Sequence, residues 1–151
     1  MKVLIQRVSS ASVKVNGTVI SSIGRGILAF VGVEKGDTEA EARWCAEKTV
    51  HLRIFADEGG RMNLSLLETG GELLAVSQFT LCAEVSRGRR PGYDRAEAPG
   101  QAKILYEHFI ACCREKIPRV LPGVFQAMME VSLINDGPVT FIIEKDPPLE
   151  N

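Results

Sequence analysis

Residues 131–143, VSLINDGPVTFII, place a polar tetrapeptide, Asn135 to Pro138, between two apolar runs. One interpretation is a turn that joins two strands, because Asp and Gly tolerate turn dihedral angles and proline fixes φ. The alternative concerns the Gly137–Pro138 bond, since about 5–6% of X-Pro bonds in folded proteins are cis. A cis bond here would direct two successive carbonyls to one side. Such a rigid pair of acceptors could discriminate between substrates by the direction of the substituent on their Cα atom.

Further apolar runs on both sides of this segment predict strands. Asn16-Gly17 is the strongest hairpin signal in the chain. The run at 26–33 is almost wholly apolar, which is typical of a strand that is covered on both faces. The predicted strands comprise residues 2–8, 13–15, 19–20, 26–33, 52–55, 73–81, 124–134 and 139–144.

Two helices are predicted between these strands. Thr38-x-x-Glu41 is a capping box, and Pro99 occupies a first-turn position before a second helical pattern. Two amphipathic helices can cover one face of a sheet, so the remaining apolar strands need a second sheet layer or a partner chain. We therefore expect an α/β (α+β-like) layered domain of two packed β-sheets, with two main helices covering one face. Residues 1–145 form a single domain in this prediction, and 146–151 form a loose tail.

The composition is that of an ordinary globular protein, with 45% apolar and 25% charged residues in a chain of 151. No apolar run approaches the ~20 residues that span a bilayer, and the N-terminal residues lack the pattern of a signal peptide. A cytoplasmic location, with no membrane, cofactor or metal, is therefore expected. Buried thiols and no zinc site are predicted from the spacing of the few cysteines and histidines, Cys45, Cys82, Cys112, Cys113, His51 and His108.

Polar groups end the apolar run at 73–81, where Ser77, Gln78 and Thr80 follow one another closely. A hydroxyl there could act as a nucleophile if a base activated it. Neither histidine is near in sequence and no G-x-S-x-G motif is present, so a Ser-His-Asp triad is not indicated. The alternative is a strand end whose polar side chains cap neighbouring backbone groups.

A basic segment, 86–95, contains Arg87, Arg89, Arg90 and Tyr93 among Gly and Pro residues. Guanidinium groups suit phosphates and a tyrosine ring can stack on a base, so this segment is a candidate RNA contact. A solvated basic loop is the alternative, because short basic runs are common on protein surfaces.

The pentapeptide Ser77-Gln78-Phe79-Thr80-Leu81, together with the segment 135–140 (NDGPVT), resembles the D-aminoacyl-tRNA deacylase (D-tyrosyl-tRNA deacylase) family. The resemblance extends over residues 1 to about 145. Shorter matches are Gln6-Arg7-Val8, Gly36-Asp37-Thr38, Leu52-Arg53-Ile54-Phe55, Met62-Asn63, Arg90-Pro91 and Leu105-Tyr106-Glu107. Two separate matches of this length in the same order make the resemblance specific.

The resemblance implies a hydrolase that cleaves the ester between a D-amino acid, or glycine, and the 3′-terminal adenosine of tRNA. It also implies a homodimer whose active sites lie at the subunit interface. The Gly137–Pro138 bond would be cis and would reach into the partner's pocket beside Met129 and Asn135. An L-side chain would collide with the two carbonyls, and exclusion by collision discriminates sharply. Arg7, which lies among apolar neighbours and needs acceptors, would hold this segment in place.

The resemblance implies a catalytic set of Ser77, Gln78, the backbone N–H of Phe79, and Thr80. Fixed donors such as the Phe79 N–H and the Gln78 amide would stabilise the oxyanion of ester hydrolysis. Thr80 could be the nucleophile, although no base is evident. The favoured alternative is that the adenosine 2′-OH assists water, because positioning alone can supply ~7–11 kcal/mol.

The chain departs from the family pattern in two places. It has Phe125-Gln126-Ala127 where relatives usually read Phe-Gly-Ala, and Met128 where they often carry an acidic or polar residue. Gln126 would narrow an approach to the backbone that glycine leaves open. Two other functions remain open from the residues alone, namely a catalytically silent RNA-binding module and an esterase of small molecules.

Overall fold

The computed structural model describes residues 1–147 of the chain. Eight strands and three helices follow one another, with one 3₁₀ turn. The strands are β1 (Lys2–Val15), β2 (Thr18–Ile23), β3 (Gly26–Gly32), β4 (Phe55–Ala56), β5 (Met62–Leu64), β6 (Glu72–Ser77), β7 (Val120–Pro122) and β8 (Glu130–Glu144). The helices are α1 (Glu39–His51), α2 (Leu66–Thr69) and α3 (Pro99–Arg114), and the 3₁₀ turn is Phe79–Cys82.

Strand β1 is the centre of the main sheet. It pairs antiparallel with β3 through its first half, with β2 through its last residues, and with β8 along nearly its whole length. Strands β3, β6 and β7 continue the sheet in parallel pairs, which gives six strands in total. Strands β4 and β5 form a second, two-stranded sheet. The predicted mixed α/β class with two sheets is confirmed, and most of its strands belong to one sheet.

The central strands of the main sheet, β1, β3 and β6, are buried on both faces. Val3, Ile5 and Ile27 point toward α1 and α3 and form one apolar cluster with them. Leu28, Leu74 and their neighbours on the other face form a second cluster. The sheet curls to close this second cluster, so that β2 reaches β7 and the Ser21 hydroxyl donates to the Pro122 carbonyl at 2.6 Å. The second face of the sheet was expected to need a second sheet or a partner chain to cover it. The curled sheet largely covers this face itself.

Helix α1 begins at the predicted capping box, in which Thr38 and Glu41 exchange hydrogen bonds with each other's backbone. Helix α2 was not predicted, although Ser65 and Glu68 form a second capping box of the same kind. Helix α2 has four residues. That length is too short for a helical repeat of apolar residues to be visible in the sequence.

Met1 lies beside Lys145, at the end of β8. The Met1 ammonium is buried and donates to Asp37 Oδ1 at 2.6 Å and to the Lys145 carbonyl at 2.7 Å. The predicted tail at 146–151 falls mostly on residues 148–151, which lie outside the described residues.

Strand β8 leaves several apolar side chains exposed. Ile134 and Ile142 are 63% and 65% exposed, and Phe141 is 40% exposed. One edge of β8 pairs with β1, and no strand of residues 1–147 pairs with its other edge. An exposed apolar strand with a free edge is a surface that proteins usually cover.

Candidate active site

A cavity of about 1110 Å³ opens at the carboxyl end of β6. Ser77, Gln78 and Phe79 form one wall, and the start of α3 at Ala98 and Pro99 forms another. The remaining walls come from the β1–β2 hairpin and from the segment before β8. Ligand sites often lie where parallel strands end, and this volume is enough for a nucleoside-sized group.

The predicted strand 73–81 ends earlier than expected, and its ending shapes the cavity wall. Strand β6 stops at Ser77, and the Gln78 N–H donates to the Val31 carbonyl at 2.8 Å. The chain then enters the 3₁₀ turn at Phe79. Because the first N–H groups of a helical turn have no partner inside it, the Phe79 N–H has no acceptor within residues 1–147. It is a fixed donor of the kind that stabilises an oxyanion.

Thr80 lies just beyond this wall and is exposed. Its hydroxyl contacts the Gln78 side-chain amide, which donates to it. No histidine or carboxylate among the described residues forms a hydrogen bond with Thr80. His51 contacts Glu47 at the end of α1, so it is not available as a base for this hydroxyl.

Tyr93 lines the cavity and Tyr106 supports it from behind, and neither was predicted as a site residue. The Tyr93 ring lies 5.1 Å from the Phe79 ring, centroid to centroid, and both line the cavity. Tyr106 lies behind the cavity, where its buried hydroxyl donates to the Ala75 carbonyl at 2.7 Å and fixes β6. Burial raises the pKa of Tyr106 to about 12, so this hydroxyl remains a donor at neutral pH.

The segment before β8 carries both departures from the family pattern. Gln126 has φ +62°, in the left-handed region that glycine adopts without steric cost. Met128 is 91% exposed at the cavity mouth. Met129 also lines the cavity, and its sulfur accepts from the Val124 N–H at 3.4 Å.

The Gly137–Pro138 segment is a bulge inside β8 and does not join two strands. Register with β1 passes from Val8 opposite Asn135 to Gln6 opposite Thr140, so residues 136–139 leave the ladder. The predicted strands 124–134 and 139–144 are thus parts of one strand that begins at Glu130. The Gly137–Pro138 peptide bond is cis, as the resemblance implied.

Arg7 and Asn135 fix this bulge. The Arg7 guanidinium contacts the Asp136 carbonyl at 3.2 Å and the Asp136 carboxylate at 3.0 Å, and it donates to the Ile54 carbonyl at 2.6 Å. The Asn135 amide donates to the carbonyls of Arg7 and Val139 at 3.0 and 3.1 Å. These contacts satisfy the polar head of Arg7, which explains how a charged residue fits among apolar neighbours.

The structure therefore divides the predicted site residues into separate groups. Ser77, Gln78, Phe79 and Met129 line the cavity, whereas the bulge at 135–138 and Arg7 do not. The bulge is exposed on another part of the surface. The three arginines of the basic segment, Arg87, Arg89 and Arg90, are exposed and also do not line the cavity.

The thiols are buried and do not line the cavity. All four cysteines are free and buried. Burial raises the pKa of Cys82 to about 11 and that of Cys45 to about 12, so neither is a ready nucleophile. Among the described residues, no group of His, Cys, Asp or Glu side chains is placed to hold a metal ion. No helix in the described part of the chain is long and apolar enough to cross a membrane.

Comparison with known families decides the assignment. A family model described as D-Tyr-tRNA(Tyr) deacylase matches residues 4–144. The chain belongs to this family. It is therefore an enzyme, a hydrolase of the deacylase type, and the resemblance inferred from residues 77–81 and 135–140 is confirmed.

Individual relatives cover nearly the whole chain. The D-aminoacyl-tRNA deacylase of Pelobacter propionicus is 57% identical over 145 residues, which are 96% of this chain and 100% of the relative. The D-aminoacyl-tRNA deacylase of Bacillus velezensis is 54% identical over 144 residues, covering 95% of this chain and 98% of the relative.

Solved structures match equally fully. One described as a c-Myc DNA unwinding element binding protein is 39% identical, with a TM-score of 0.92, and the match covers 97% of this chain and 99% of that one. Another, described as a probable eukaryotic D-amino acid tRNA deacylase, has a TM-score of 0.82 at 18% identity, covering 94% and 97% of the two chains. At that identity the second match shows the fold alone.

Proposed function

We propose that this enzyme hydrolyses the ester bond of D-aminoacyl-tRNA, and of glycyl-tRNA, releasing the amino acid and tRNA. The observation that carries the proposal is the cavity of about 1110 Å³ at the end of β6, which Ser77, Gln78 and Phe79 line and where the Phe79 N–H has no acceptor within residues 1–147. Family membership and relatives named D-aminoacyl-tRNA deacylase support this substrate. The activity resides in one domain, residues 1–145, and acts in the cytoplasm on products of tRNA charging.

The active unit is a homodimer in this proposal. The bulge at Gly137–Pro138 and the cavity lie apart in one chain, so a second copy is needed to bring them together. Strand β8 carries the bulge, and its exposed Ile134, Phe141 and Ile142 offer an apolar surface for that contact. Burying such side chains contributes about 25 cal/mol per Å² of apolar surface removed from water.

The bulge acts as the chiral gate. Residues 136–139 leave the β1–β8 ladder, so the carbonyls of Gly137 and Pro138 are free to face a substrate in the partner's cavity. An L-side chain would collide with them, a D-side chain would point away, and glycine has no side chain to collide. A filter made of backbone atoms rejects the wrong configuration without regard to side-chain identity.

Positioning and oxyanion stabilisation provide the catalysis. The Phe79 N–H donates a hydrogen bond to the oxyanion that forms on the ester carbonyl. The Gln78 amide orients the neighbouring hydroxyl of Thr80. Since Thr80 contacts no base, the adenosine 2′-OH assists the attacking water and Thr80 is not the nucleophile. The exposed Arg87, Arg89 and Arg90 contact the tRNA phosphates.

One assay tests this function against its alternatives. Wild-type enzyme is given D-tyrosyl-tRNA, L-tyrosyl-tRNA and a small activated ester, and its oligomeric state is measured by light scattering. We expect rapid hydrolysis of the D-substrate alone by a dimer. Binding of tRNA without turnover would favour an RNA-binding module, and turnover of the small ester alone would favour a general esterase.

A further inference from the structure

Three charged side chains line the cavity, and one of them is basic. They are Lys14, Glu97 and Glu130, each from a different segment of the chain. The Glu97 carboxylate accepts from the Ala98 N–H at 2.6 Å, so it is occupied at the start of α3. Lys14 is half-buried, and no carboxylate within residues 1–147 lies at ion-pair distance from it. An ammonium that lines a cavity and forms no ion pair within residues 1–147 is a candidate anion site.

The local backbone fixes the position of Lys14. It pairs with Val19 of β2 on one side and with Glu130 of β8 on the other. The β1–β2 register shifts between Val13 and Lys14, where Val13 belongs to the buried cluster. A bulge of this kind redirects the next side chain, and bulges commonly occur beside active sites.

The proposed substrate carries an anion close to its reacting bond. The ester is attached to the ribose of the terminal adenosine, and the 5′ oxygen of the same ribose carries the phosphodiester that leads to the preceding nucleotide. When the ester occupies the wall formed by Ser77 and Phe79, this phosphate must lie one sugar away, near the rim of the cavity. Lys14 is the one cationic group among the lining residues that could receive it.

We infer that Lys14 is a positioning residue that binds the phosphodiester preceding the terminal adenosine. This inference rests on the proposed function, because it needs a tRNA 3′ end in the cavity. Lys14 contacts neither the ester nor the attacking water, and it acts by fixing the sugar that carries the ester. Glu130 pairs with Lys14 in the β1–β8 ladder. Its negative charge repels a phosphate and so weakens phosphate binding at Lys14.

The test compares two substrates that differ in this phosphate. D-Tyrosyl-tRNA contains it, and D-tyrosyl-adenosine lacks it. For Lys14→Gln we expect kcat/KM on D-tyrosyl-tRNA to fall about tenfold, mainly through KM, since a charge-assisted contact is lost. Hydrolysis of D-tyrosyl-adenosine should change by less than about twofold. The slope of log kcat/KM against log salt should become shallower by about 0.7.

Three further variants make the test specific. Lys14→Arg should restore most of the activity on D-tyrosyl-tRNA, because it keeps the charge. Glu130→Gln should raise kcat/KM on the same substrate, because it removes a competing carboxylate. Lys116→Gln removes the same charge at the opposite end of α3, where Lys116 approaches Glu47, and should have no selective effect.

The outcomes separate this inference from the function on which it rests. If the wild type hydrolyses neither substrate, the proposed function fails and the inference fails with it. If the wild type hydrolyses both, the inference alone is overturned when Lys14→Gln behaves as wild type. It is also overturned when Lys14→Gln loses both activities equally, which would indicate a structural role.

Discussion

Arg7 holds Asp136 twice, through its backbone carbonyl at 3.2 Å and through its carboxylate at 3.0 Å. Both contacts use the guanidinium of a side chain that is 13% exposed. Arg7, a charged residue within an apolar strand, therefore supports the bulge in β8.

Arg7→Lys should impair the enzyme more than it impairs the fold. A lysine keeps the charge and cannot reach Asp136 and Ile54 together, and charge-assisted hydrogen bonds of this type contribute about 1.5–3 kcal/mol. We expect kcat/KM for D-tyrosyl-tRNA to fall roughly tenfold to a hundredfold. Steady-state kinetics and thermal melting measure the two effects, and wild-type turnover by this variant would contradict the role of Arg7.

Gly137→Ala should weaken discrimination between D- and L-substrates. The added Cβ would lie 3.1 Å from Asn135 Oδ1, so the bulge or its Asn135 support must move. The required shift is a few tenths of an ångström, and because rates depend steeply on the placement of such groups, we expect the ratio of D to L hydrolysis rates to fall by about threefold or more.

Gly24→Ala is the matched control for this experiment. A Cβ at Gly24 meets nothing within 4 Å, and the residue is exposed. The control should keep the wild-type ratio. If Gly137→Ala also kept the wild-type ratio of D to L hydrolysis rates, the bulge would not be the element that discriminates between D- and L-substrates.

Thr80→Ala should slow hydrolysis by less than about tenfold, because Thr80 is not the nucleophile in the proposed mechanism. Removal of a true nucleophile would lower the rate by several orders of magnitude. A D-tyrosyl-tRNA ending in 2′-deoxyadenosine should react at least about a hundredfold more slowly, as expected when a positioned acid–base group is lost. Single-turnover rates with the two substrates provide the comparison. Equal rates for the 2′-OH and 2′-deoxy substrates would exclude assistance by the substrate.

The cysteines should resist modification in the folded protein at pH 8. Burial raises the pKa of Cys82 to about 11 and that of Cys45 to about 12, and only the thiolate reacts. The rate of labelling should therefore rise as the pH rises from 8 toward 10 and should not level off there. Four thiols should react after unfolding in urea. Fast labelling of the folded enzyme with loss of activity would indicate a cysteine with a chemical role.

Gln126→Gly should stabilise the protein or leave its stability unchanged. Gln126 has φ +62°, where a residue with a Cβ is disfavoured by roughly 1–2 kcal/mol, although glycine loses more entropy on folding. Gln101→Gly in α3 is the matched control and should cost roughly 0.5–1 kcal/mol. Urea denaturation of both variants measures the difference, and equal destabilisation would contradict the strain assigned to Gln126.

Local patterns predicted α1, α3 and most strands, because capping boxes and apolar runs act over a few residues. The curl that lets β2 meet β7 could not be predicted, since it depends on contacts such as Ser21 with Pro122, far apart in sequence. The bulge in β8 could not be distinguished from a turn, because residues such as Asn, Asp, Gly and Pro at 135–138 occur both in turns and in bulges.

The candidate site was only partly visible for a similar reason. Residues 77–81 and 135–140 were found by their resemblance to a family, yet one chain keeps them apart. Tyr93 and Lys14 reach the cavity through the fold. In the sequence Tyr93 stood out only as part of the basic segment 86–95, and Lys14 carries no distinctive pattern. Their positions depend on where a loop and a hairpin return to the end of β6.

The contacts of Arg7 and Asn135 with the bulge have a practical meaning for enzyme engineering. Side chains at Gly137 and Pro138 offer little to randomise, because the proposed filter consists of main-chain atoms. A library aimed at mirror-image substrates would do better to vary the side chains that support that main chain, namely Arg7, Asn135 and Asp136. Stereochemical preference would then be redesigned from outside the substrate pocket.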